Sequence, residues 1–183
     1  EFSAEVGLSA AVQKTLKAET GWVIMMTYIG LSIGDFSSGM LSQILKSRKR
    51  AILIFMTGTL LISLYYLLFM EGVSAMHVYI VCFMLGFSTG YWAVFVTNAA
   101  EQFGTNIRAT VTTTVPNFVR GLLSLWILMY AFIRGDATPD SGYDGLGMIP
   151  ATLIVGGLVY VLAYVALFTM KETYGKDLNY YEE

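Results

Sequence analysis

Five stretches of the chain, residues 21–45, 51–70, 75–100, 109–133 and 148–170, run for twenty residues or more with almost no charge. Each reaches the roughly 20 residues an α-helix needs to cross a bilayer. Hydrocarbon offers the backbone no water, so a crossing stretch must satisfy its own hydrogen bonds as a helix or within a closed barrel. None of the five alternates apolar with polar residues as a barrel strand does. All five therefore read as membrane helices. Composition agrees, at 56% hydrophobic and 13% charged residues, against roughly 25% charged in a soluble domain.

The same composition removes several function classes. A net charge of −2 leaves no basic footprint for nucleic acid. With one cysteine, Cys82, and one histidine, His77, there is no disulfide framework and no Cys/His metal set. No nucleophile–base pair is spaced for catalysis, so neither an enzyme nor a cofactor is expected. Residues 1–20 mix Glu5, Lys14, Lys17 and Glu19 with Val6, Leu8, Val12 and Leu16, as an extracytoplasmic loop or interfacial segment would. The opening EFSAEVG has neither an initiator Met nor a basic, apolar leader. It reads as a chain entered in the middle.

Charge alternates between the connections. Lys46, Arg48, Lys49, Arg50, Arg108, Lys171 and Lys176 fall on one side, seven of the eleven Lys and Arg. Glu71, Asp136, Asp140 and Asp144 fall on the other. The positive-inside rule puts the 46–50 loop, the 101–108 turn and the tail 177–183 in the cytoplasm. A plasma or inner membrane is expected.

Polar residues within the spans are the functional candidates, because a cation at mid-bilayer costs at least about 2.5–3.5 kcal/mol on insertion scales. Arg120 lies twelve residues beyond Arg108, about 18 Å along a helix. Asp35 lies ten residues before Leu45, about 15 Å deep by the same rise. The two could neutralise each other and fix packing. Alternatively, Arg120 meets an anionic substrate while Asp35 serves as a proton or charge-coupling site. Thr113, Asn117 and Arg120 share a helix face, beside Pro116, whose missing amide frees a carbonyl one turn earlier. That face can line a cavity, or the threonines can simply bond back to their own helix. Tyr91 and Trp92 sit too deep for an interfacial belt, and either pack or stack on a substrate ring. Gly30, Gly34 and Ser38, with Gly86 and Gly90, are spaced for close helix contact.

Three segments together resemble the major facilitator superfamily of secondary transporters. Gly39 to Arg50, GMLSQILKSRKR, is similar to that family's cytoplasmic loop signature, with Gln43 in place of its acid and Lys46 in place of its second glycine. Glu101 to Arg108 resembles the loop between helices ten and eleven. Lys171-Glu172-Thr173-Tyr174-Gly175 is similar to the Pro-Glu-Thr-Lys-Gly run after the last helix of sugar porters. The resemblance implies an all-α integral membrane fold in which 21–176 supplies five transmembrane helices, eight to twelve, of a six-helix bundle. That bundle would be the second half of a twelve-helix transporter, the rest lying in a missing N-terminal half. It also implies alternating access, with Gly39, Lys46, Arg48, Lys49, Arg50, Glu101 and Arg108 as cytoplasmic gate residues. Arg120 matches the helix-eleven arginine of aromatic-acid:proton symporters and organic-anion transporters. The expected function is proton-coupled symport of a carboxylate-bearing metabolite, with Arg120, Asn117, Thr113, Tyr91 and Trp92 on the substrate and Asp35 on the coupling ion. A sugar or polyol porter of the same fold, or a non-transporting receptor or scaffold, are the alternatives.

Overall fold

The computed structural model describes residues 19–70, 72–135 and 145–175, and among them every regular element is a helix. These are α1 (Thr20–Ile44), α2 (Arg48–Phe69), α3 (Ala75–Thr89), α4 (Trp92–Ala100), α5 (Thr105–Arg134) and α6 (Met148–Thr169). The expected N-terminal segment, apart from its last residues, and the tail 177–183 lie outside the described residues.

Four stretches are long and apolar enough to cross a membrane: α2, α3 with α4 over Ala75–Ala100, α5 and α6. That is the make-up of a multi-pass membrane protein. The fifth expected span, α1, has the length at 25 residues but is not among the four. Asp35, Gln43 and its many glycines and serines dilute its apolar character, so packing rather than hydropathy sets its place. Three features also differ from the sequence reading, one being that α5 begins at Thr105 rather than 109. Helix α2 begins at Arg48 rather than 51, so Arg48, Lys49 and Arg50 form its first turn. The connection shrinks to Leu45–Ser47, with Lys46 at φ 49°. The third span is broken at Gly90–Tyr91.

The chain divides into two compact units, Glu1–Lys46 with Arg50–Val94, and Ser47–Lys49 with Phe95–Glu183. In the first, α1 lies backbone to backbone against α3. The buried residues of α1 are Gly30, Gly34, Ser38 and Ser42, one every fourth position. A Cβ added at Gly30 would stand 2.1 Å from the Phe83 carbonyl oxygen, and at Gly34 2.1 Å from that of Phe87. From the α3 side, one at Gly86 would stand 2.0 Å from the Thr27 oxygen. Only hydrogen fits at these positions, and the contact exists because the side chains are missing. Ser38 and Ser42 sit in the same seam because their hydroxyls donate to Asp35 O and Gly39 O within the helix. Helix α2 buries Ala51, Ile52, Phe55 and Met56, with the Phe55 ring 5.6 Å from that of Phe87 in α3. The Thr59 hydroxyl reaches Ser88 O at 2.8 Å.

In the second unit α5 runs beside α6, whose buried residues are Ala151, Val155 and Leu167. Helix α5 continues through Pro116 for 30 residues, none of them buried.

Candidate functional site

The unburied α5 carries a pattern that the three residues Thr113, Asn117 and Arg120 only begin to show. Asn106, Thr110, Thr113, Asn117, Arg120 and Ser124 recur at alternating intervals of four and three, which keeps them on one helix face. All six are exposed. The stripe spans 19 residues, about 27 Å at the helical rise, close to the thickness of a hydrocarbon core. Val111, Val115, Phe118, Leu122, Leu125 and Met129 occupy the opposite side. Within the stripe the Thr113 hydroxyl donates to Ala109 O at 3.2 Å, and Thr112 beside it does the same at 2.8 Å. Thr113 therefore offers lone pairs to a ligand but not its proton, whereas Asn117 and Arg120 are both donors.

Asp35 lies in the first unit, at the break in the third span. The turn at Gly90 fits against α1 so closely that a Cβ there would meet the Asp35 nitrogen and the Gly34 carbonyl carbon at 2.5 Å. Tyr91 falls in the break and Trp92 opens α4. The first amides of α4 have no carbonyl one turn earlier to bond, and Asp35 Oδ1 accepts from one of them, Ala93 N, at 3.4 Å. A carboxylate beside a helix N-terminus is electrostatically favoured. Asp35 thus caps a neighbouring helix, a role that single-sequence reading could not separate from charge coupling.

The richest polar geometry belongs to the second unit, where Ser47, Arg48 and Lys49 meet the chain that follows α6. Two helix ends cap each other there. Glu172 Oε1 accepts from Arg48 N at 2.9 Å, and Oε2 accepts from the Ser47 hydroxyl and from Lys49 N at 3.4 Å. Those are the first amides of α2, the positive end of its dipole. In return Lys49 Nζ donates to Phe168 O at 3.2 Å and Met170 O at 2.6 Å, the negative end of α6. The Glu172 carboxyl is subject to two opposed effects. Burial alone would raise its pKa, but bonds from the Ser47 hydroxyl and the Tyr174, Arg48 and Lys49 amides hold it below its ordinary value.

Arg48 extends the cluster. Its Nη2 pairs with Glu101 Oε1 at 3.1 Å, and its guanidinium carbon lies 5.6 Å from the centre of the Tyr174 ring. Behind the ion pair, Thr173 Oγ1 is 2.7 Å from Glu101 Oε2 and 2.8 Å from Asn98 Oδ1. Asn98 is fully buried and Thr173 nearly so.

Of the expected gate residues, the structure brings Arg48, Lys49 and Glu101 into this cluster. Arg108 instead donates to Phe103 O within its own turn, at 3.1 Å. Lys46 and Arg50 are exposed. Gly39 has open space where a Cβ would go, so no contact requires glycine there. Ser47, Asn98, Glu172 and Thr173 complete the cluster and were not singled out as site residues. Two signals pointed to them: an amide inside an apolar span, and a serine immediately before a helix start, the usual capping position. Among the described residues no group of acids, histidines or cysteines is placed to hold a metal. Comparison with family models, with characterised proteins and with solved structures gives no match.

Proposed function

We propose that this chain belongs to a secondary transporter of the major facilitator type. It moves a carboxylate-bearing metabolite by alternating access, coupled to protons. The observation that carries the reading is the polar stripe of α5, with Arg120 more than three quarters of the way along it. Ionisable residues at membrane depth face a protein interior or a water-filled path, and a stripe that runs the thickness of the membrane has the form of a path lining. Arg120 supplies the fork that a carboxylate fits, and Asn117 adds a donor one turn away. The cluster of Arg48, Glu101 and Glu172 is then a cytoplasmic latch that holds one state of the cycle and opens in the other.

Arg120→Ala in the full-length protein, reconstituted in liposomes, should abolish carboxylate uptake without lowering expression. Undiminished uptake would overturn the reading. Asp35→Asn separates its two roles, since the amide oxygen can still cap Ala93 but cannot carry a proton. Loss of the pH dependence of uptake supports coupling; an unchanged pH profile leaves Asp35 as a cap alone.

One observation favours a sugar or polyol as cargo. The latch is built from Glu172 and Thr173, in the segment that resembles the sugar-porter motif. Competition by neutral sugars but not by carboxylates would select that cargo.

A further inference from the structure

The contacts around Thr173 do not balance as donors and acceptors. A hydroxyl has one proton, yet Thr173 Oγ1 faces two acceptor oxygens, Asn98 Oδ1 at 2.8 Å and Glu101 Oε2 at 2.7 Å. Glu101 is also forked onto Arg48, at 3.1 Å and 3.4 Å, and a carboxylate so placed accepts and does not donate. At the same time Asn98 Nδ2 is buried with no hydrogen-bond partner, which carries a desolvation cost. The oxygen and nitrogen of an amide are told apart by their network. Turning this amide end for end resolves the proton conflict: Nδ2 then donates to Thr173 Oγ1 and the freed hydroxyl proton goes to Glu101, while the amide oxygen takes the partnerless position.

We propose that Asn98 is a positioning residue whose amide donates to Thr173. It sets the direction of a chain that runs from Asn98 through the Thr173 hydroxyl to the Glu101 carboxylate, which Arg48 grips from the other side. The segment 170–175 and the Arg48–Glu101 pair are thereby joined, so they hold or release together. The link to transport rests on reading the cluster as a latch; the hydrogen-bond direction does not.

Asn98→Asp tests the direction, because an ionised side chain at that position can only accept. Thr173 would then have one proton for two carboxylates. The charged and titratable groups on the elements around it are Glu101 and Arg108, Arg48 and Lys49 of α2, and Lys171, Glu172 and Tyr174 after α6. These are common to both proteins, so melting of the full-length protein in detergent is compared with wild type at each pH. At pH 7.5 the variant should melt about 5 °C lower. The gap should close toward about pH 5, where a buried acid regains its proton and can donate. A variant that matches wild type at pH 7.5 and falls behind on acidification would reverse the assigned direction. A gap that ignores pH would reduce Asn98 to a matter of shape.

A second pair of variants keeps the test open if Asn98→Asp does not fold. Thr173→Ser keeps the hydroxyl and should melt within about 1 °C of wild type, whereas Thr173→Val, similar in shape, should fall by about 5 °C. Equal behaviour of the two overturns the relay. Melting needs no substrate, so neither outcome depends on the Arg120 result.

Discussion

The two units hold their helices in opposite ways. In the first, α1 and α3 meet through side chains that are absent, with Gly30, Gly34 and Gly86 letting backbone touch backbone. In the second, Ser47–Lys49 meet the segment that ends α6 through Lys49, Glu172 and Ser47, at helix ends where amides and carbonyls need partners. Lipid tails are as apolar as leucine, so burying apolar surface does little to pull helices together in a membrane. Close van der Waals packing and polar bonds remain; the α1–α3 seam shows the first and the Glu172 cluster the second. The difference predicts how each fails. A seam with no spare volume fails sterically and under all conditions, whereas a cluster of charges fails with pH and salt.

The largest effect should come from the seam. Gly34→Leu drives a side chain into the Phe87 carbonyl and should cost roughly 3 kcal/mol or prevent assembly, measured as yield and melting of the full-length protein. Normal behaviour of that variant would break the comparison at its first term. Next comes Glu172→Ala, which removes a helix cap worth about 1 kcal/mol and should make melting less sensitive to acid. The sign follows from the lowered folded-state pKa. The contribution of Glu172 is complete above its unfolded value of about 4.5 and is lost as pH falls through the lower folded value. Wild type should therefore lose stability relative to Glu172→Ala only below about pH 4.5, and a difference confined to neutral pH would contradict the capping role. The smallest effect belongs to Gly156→Ala in α6, where a Cβ meets nothing within 4 Å. It should be neutral, or stabilising by up to about 1 kcal/mol through helix propensity. A penalty there as large as at Gly34 would show that glycine in this chain does not act through close contact.

Much of the architecture was legible because membrane helices declare themselves by length and apolarity. The Gly30–Gly34 and Gly86–Gly90 spacings pointed to the α1–α3 seam for the same reason, since periodicity is local. The break at Gly90–Tyr91 was not legible. Residues 75–100 are uniformly apolar, and nothing local distinguishes a continuous helix from one opened by a neighbour's backbone. Asp35 stood out as a buried charge, but its contact with Ala93 N joins residues 58 apart. Glu172 was hidden by distance too. Its partners lie 123 to 125 positions earlier, and only the fold shows that a glutamate after one helix completes the start of another. The α5 stripe is in the sequence throughout; the polar run from Thr110 to Asn117 and Arg120 is conspicuous there, but Asn106 and Ser124 extend the same spacing beyond the segment where the charge draws attention.

The separation of Glu172 from Arg48 also has a meaning in time. A ribosome adding about 5–20 residues per second delivers Glu172 roughly 6–25 s after Arg48, whose amide it must cap 124 residues away. Gly34 and Gly86 are both made before residue 90, so the seam between α1 and α3 can form early. Throughout that interval the first amides of α2 have only water or lipid headgroups for partners. The reciprocal cap is thus a late joint, and it closes only on a chain read through α6 to residue 172. Synthesis halted before residue 172 would leave the glycine seam intact and the first amides of α2 uncapped.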